Sequence, residues 1–231
     1  MIEGECYFVL HAPRQSGKTT CVRELTRQIN SDGKYYAIKC SLDSLQNIED
    51  TDIAMNRIFA LTDMGLRNSG VAKLKNLVCS FSGEVHMNDS GTKIRGMLNG
   101  ICSSLDKELV VFFDEADCLH EDPLITFWTQ IRGGCLERDD SPESVFPRSM
   151  ALVGMRNLWD CKHRVRQEDQ SAGLASPFTI ITESFSLANF SGGKLSPSAA
   201  STRRTRDRSS RVMPSSGPGT GTRGSRGWST F

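Results

Sequence analysis

Tyr7-Phe8-Val9-Leu10-His11-Ala12-Pro13-Arg14-Gln15-Ser16-Gly17-Lys18-Thr19-Thr20 is the stretch that decides the fold of this 231-residue chain. An apolar strand runs into A-x-x-x-x-G-K-T, and a helical pattern starts at once. A phosphate-binding loop needs this order of parts. Successive backbone N–H groups curl around an anion, and the positive end of the next helix lies beneath it. Gly17 lets the backbone come close, Lys18 is the cation for the outer phosphates, and the Thr19 hydroxyl is a ligand for Mg²⁺. Ala12 stands where the usual pattern has its first glycine. The residues expected to line the loop are Ala12, Pro13, Arg14, Gln15, Ser16, Gly17, Lys18, Thr19 and Thr20.

Working outward, apolar strands and amphipathic helices alternate, which predicts a parallel sheet covered on both faces. Strands are expected at Cys6–His11, Tyr35–Cys40, Leu109–Phe113, Ser149–Val153 and Phe178–Thr182. Helices are expected at Lys18–Ile29 (Val22, Leu25 and Ile29 inward), Ile48–Met64 (Ile53, Ile58 and Leu61 inward), Lys93–Ser104 and Pro123–Leu136. Between Gly65 and Gly91 the pattern weakens to a short helix and a loop.

Leu109-Val110-Val111-Phe112-Phe113 ends in Asp114-Glu115. A carboxylate at the end of a buried strand can hold a Mg²⁺ shell, and the next can polarise water. Asp114 is therefore the expected metal ligand and Glu115 the expected general base. Such a pair favours water activation over phosphoryl transfer to a small molecule. The strand Met150–Gly154 leads to Met155-Arg156-Asn157, where a polar residue can contact the outermost phosphate. Arg156 suits a pair of phosphate oxygens, with Asn157 the alternative. Arg132 and Arg138 are candidates for an arginine finger supplied to a neighbour. His11 and His120 flank the two motifs and read as packing or surface residues.

The set P-R-Q-S-G-K-T-T after Y-F-V-L-H, V-V-F-F-D-E-A-D and A-L-V-G-M-R resembles the bacterial AAA-like P-loop ATPases, akin to both origin-recognition AAA+ proteins and the STAND class. The resemblance spans residues 1–191 and includes Thr182–Phe190, similar to a fifth strand and the turn into a helical lid. It implies a three-layer α/β/α P-loop NTPase fold with a parallel five-stranded sheet of order 5-1-4-3-2. It also implies ATP and Mg²⁺ as cofactors, ATP/ADP as the bound partners, and hydrolysis driving a conformational switch. A protein partner or self-association through the core stays open. Against the family pattern, the chain begins about five residues before its first strand, and no lid sequence follows Phe190. Truncation at both ends is the expectation, leaving open a nucleotide-binding module or fragment with negligible turnover.

The formal net charge of +1 hides an asymmetry. Residues 1–191 carry 20 basic and 26 acidic side chains, whereas 192–231 carry eight basic and one acidic. Ser, Thr, Gly and Pro fill 24 of those last 40 positions, a composition expected to be disordered. A shifted reading frame is the expected origin. Suitable codons for Arg223–Phe231, read from the third nucleotide, encode G-Q-P-W-L-V-N-V, similar to the family's Gly-x-Pro segment. A one-base shift near codons 190–195 would restore it. The alternative is a basic nucleic-acid-binding arm; with no aromatic residue before Trp228, nucleic acid is read as an unlikely partner. The eight cysteines lack a C-x-x-C pair, and Cys161 with His163 lacks a second pair, so free thiols in a reducing cytoplasm are expected. No apolar run reaches membrane-spanning length.

Overall fold

The computed structural model describes residues 7–13, 15–81, 89–141, 143–154 and 181–186. The strands are β1 (Tyr7–His11), β2 (Tyr36–Ser41), β3 (Leu109–Asp114), β4 (Ser149–Gly154) and β5 (Ile181–Ser186). The helices are α1 (Lys18–Asp32), α2 (Thr51–Asn68), α3 (Ala72–Phe81), α4 (Lys93–Ser103) and α5 (Glu121–Asp140). The strands form one sheet in the order β2-β3-β4-β1-β5, and every neighbouring pair is parallel. This is an α/β fold with helices on both faces. The expected strand Phe178–Thr182 overlaps β5 only at its end, and residues 178–180 lie outside the described residues. So do 187–231, and with them the expected lid turn and tail.

All six residues of β3 and of β4 are buried, as expected for strands with sheet on both sides and helix above and below. Alternation sends their side chains to two cores. On one face Val22 and Ile29 of α1 pack with Phe8, Ala37, Val110, Phe112, Ala151 and Val153. The larger core on the other face holds Ile38, Val111, Phe113 and Leu152 against α2, α4 and α5. There the Phe113 ring meets Phe127 edge-on, with centroids 5.0 Å apart.

Two inward faces differ from expectation. In α1, Leu25 is exposed and Thr26 is buried in its place, its hydroxyl donating to the Val22 carbonyl at 2.7 Å. That internal bond makes a threonine tolerable against the sheet. The helix continues to Asp32 and stops at Gly33, whose φ of 71° lets its N–H reach the Ile29 carbonyl; glycine takes this conformation without a Cβ penalty. In α2, Ile53 is 52% exposed while Ala54, Met55, Ile58, Thr62, Gly65 and Leu66 face inward. The helix starts where the Asp50 carboxylate accepts the Ile53 N–H at 2.8 Å, a side-chain cap.

The outer edge of β2 is partly answered from within. Asn30 of α1 donates to the Ala37 carbonyl at 2.9 Å and accepts the Ala37 N–H at 2.8 Å. From the other face, Gly65 of α2 sits so near the strand that a Cβ there would lie 3.0 Å from the Lys39 carbonyl oxygen. At the sheet's opposite end the Tyr7 hydroxyl, at the start of β1, donates to the Pro147 carbonyl at 2.7 Å.

Candidate functional site

The C-terminal ends of β1, β3 and β4 meet at one edge of the sheet, where a parallel α/β sheet leaves its crevice. The Ala12 N–H donates to the Gly154 carbonyl at 3.2 Å, tying the loop after β1 to the end of β4. Gln15 and Gly17 have φ values of 59° and 80°. This left-handed winding fits a glycine and strains a glutamine. Lys18 opens α1 with its side chain buried, its Nζ donating to the Ala12 carbonyl at 2.8 Å and the Pro13 carbonyl at 2.9 Å. Ser16 is 5% exposed, and its hydroxyl has no hydrogen-bond partner. A buried hydroxyl without a partner at a helix N-terminus suits an anionic ligand. Ala12 is buried, Thr19 half-buried, and Pro13, Gln15 and Thr20 exposed. Arg14 lies outside the described residues.

Asp114 ends β3 on the same sheet face as α1 and is 1% exposed. Its Oδ1 accepts the Glu115 N–H at 3.1 Å, and its Oδ2 accepts from Lys39 Nζ at 3.1 Å. Lys39 comes from β2, opposite Phe112 in register and thus diagonal to Asp114. The pairing gives a buried carboxylate the counter-charge it requires.

Glu115 turns the chain out of the sheet with φ 58° and ψ 41°, an uncommon conformation for a residue with a Cβ. Burial raises its carboxyl above the usual glutamate range. Asp114, Asp117 and Asp43 raise it further, and Lys18 pulls it down. These carboxylates and the loop lysine therefore share one electrostatic neighbourhood. Asp117 follows in a 3-10 turn and leans on the end of β4: a Cβ on Gly154 would lie 2.5 Å from Asp117 Oδ1.

The structure thus assembles Ala12, Pro13, Gln15, Ser16, Gly17, Lys18, Thr19, Thr20, Asp114 and Glu115 at one edge. Arg156 and Asn157 lie outside the described residues. Arg138, a candidate finger for a neighbour, lies in the last turn of α5. Its guanidinium lies 5.9 Å from the Tyr7 ring centre and donates to the Pro147 carbonyl at 3.1 Å, at the opposite end of the strands. Arg132 is half-buried on α5.

Sequence reasoning missed Lys39, Asp43 and Asp117. Asp117 was within sight, as the last residue of D-E-A-D. Lys39 carried a fainter signal, a lone cation between buried positions of a strand.

No family model matches the sequence, and no curated protein matches it. Similar solved structures exist. A Drosophila ORC assembly bound to DNA and Cdc6 shares 10% identity with a TM-score of 0.48, over 81% of this chain and 27% of that one. Aeropyrum pernix ORC1 in complex with DNA shares 10% identity with a TM-score of 0.40, over 79% and 39%. Aeropyrum pernix ORC2, in ADPNP–ADP complexes, shares 12% identity with a TM-score of 0.42, over 79% and 41%. This chain spans between a quarter and about two fifths of their length. The reading of nucleic acid as an unlikely partner is corrected here: two of these structures are complexes with DNA, and that exclusion is withdrawn. Among the described residues no helix is long and apolar enough to cross a membrane. The chain has an α/β fold with a five-stranded parallel sheet, and its loop after β1 and the acidic end of β3 lie on one edge of that sheet.

Proposed function

We propose that the chain binds ATP with Mg²⁺ at this edge and hydrolyses it, using the energy to change conformation. The observation that carries the reading is the pairing of two independent parts: the Lys18 loop after β1 and the Asp114-Glu115 end of β3. They lie close enough for Lys18 to act electrostatically on Glu115. The donor set fits the group. The buried Ser16 hydroxyl, the left-handed Gly17, the Lys18 ammonium and the α1 N-terminus suit phosphate oxygens. The Thr19 hydroxyl and Asp114 carboxylate are hard oxygen ligands suited to Mg²⁺. Mg²⁺ with the nucleotide supplies charge neutralisation at the phosphates. In this reading Lys18 orients the outer phosphates, Glu115 accepts a proton from attacking water, and Arg156 contacts the γ-phosphate. Residues 1–191 form the ATPase core, and 192–231 are a separate basic tail.

Purified protein tests this directly. Wild type is expected to bind ATP in the micromolar range and turn it over with Mg²⁺. Lys18→Ala should abolish binding. Glu115→Gln should keep binding and lower turnover by about 10²–10⁴-fold. Binding without turnover in the wild type would leave a nucleotide-binding module, and no binding up to millimolar ATP would reject the reading.

A further inference from the structure

Asp114 spends both carboxylate oxygens inside the protein, one on the Glu115 N–H and one on Lys39 Nζ. The residue best placed to ligate a divalent cation is therefore already neutralised by a cation of the chain's own. Its partner has somewhere to go. Lys39 is about one-fifth exposed, and it lines a groove of about 780 Å³ between α1 and α2 over the edge of β2. Ser41 and Asp43 line the same groove. Asp43 lies two residues past the end of β2 and offers a second, exposed carboxylate to the groove that Lys39 lines. A divalent ion approaching Asp114 Oδ2 would meet the ammonium 3.1 Å from that oxygen. Two cations on one buried carboxylate oxygen repel each other.

We propose that Lys39 is the resident counter-ion of Asp114 and that a divalent cation arriving with nucleotide displaces it into the groove toward Asp43. Lys39 is in this sense a positioning residue: it holds the carboxylate in place without metal and opposes metal loading. Metal entry and release of the β2 lysine then become one event. This rests on the reading that Mg²⁺-nucleotide binds at the loop after β1.

The test is a Mg²⁺ titration of protein holding a fluorescent ATP analogue, begun in EDTA and read by fluorescence and by melting temperature. Lys39→Gln should lower the Mg²⁺ midpoint about five- to tenfold relative to wild type and lower the melting temperature in EDTA. Lys39→Arg should raise the midpoint, because a planar guanidinium grips a carboxylate with two donors. It keeps the charge and carries the test if Lys39→Gln fails to fold. Asp43→Asn should also raise the midpoint by removing the lysine's second partner. A midpoint in Lys39→Gln equal to or above wild type, or one in Lys39→Arg equal to or below it, overturns the proposal; a purely structural lysine gives that sign. Wild type that binds the analogue while these midpoints stay fixed overturns the proposal alone. Wild type that binds no analogue overturns the nucleotide reading and this inference with it.

Discussion

Glu115 combines a left-handed backbone with partial burial and three neighbouring aspartates, and the burial and the aspartates disfavour its charged form. Its carboxyl therefore titrates higher in the folded chain than in the unfolded one. Between those two values the folded state holds more protons, so stability falls as pH rises through that window. Below it both states are protonated and the penalty vanishes; above it the penalty is complete. The expected outcome is a melting temperature of ligand-free protein that declines from mildly acidic toward neutral pH. Glu115→Gln should flatten that decline. A wild-type profile that rises across the same range would contradict it.

At the scale of elements, β2 carries Lys39 and closes one side of the sheet. It is an edge strand, and exposed edges invite pairing with other chains. Asn30 answers both backbone groups of Ala37. Asn30→Leu should cost about 1–3 kcal/mol by leaving those groups without partners. Urea unfolding measures that loss, and sedimentation should show more self-association than wild type.

The elements also divide what could be read from sequence. β1 with its loop, and β3 with its acidic end, were legible because each is a contiguous run whose chemistry is local. The inward face of α2 was not. Apolar residues occur around that helix, and the buried positions include Thr62 and Gly65, chosen for fit rather than hydrophobicity. Thr62 bonds its own helix at the Ile58 carbonyl. Gly65 is small because β2 crosses close beneath it. Lys39 is the extreme case. Its role depends on a register with β3, whose partner aspartate is 75 residues away, and Y-A-I-K-C marks it only as a lone cation among buried positions.

For the whole molecule, the sheet separates two cores of unequal size, and cysteines contrast the larger core with the surface. Burial pushes the Cys40 thiol up to about 12, and the residue lies in the larger core. Cys21 is exposed on α1. At pH 8 a thiol reagent followed by peptide mapping should label Cys21 within minutes and leave Cys40 unmodified. Cys40 should become reactive only in step with global unfolding in urea; its early labelling would mean that β2 and α2 separate before the sheet does.

Lys18 bears on this same question of when order is made. Its ammonium already gathers the carbonyls of Ala12 and Pro13, bonds that a ligand would exchange for its own. Conformational entropy at these residues is thus lost at folding and not at encounter. Ligand arrival becomes a substitution at a standing socket, not a local folding event.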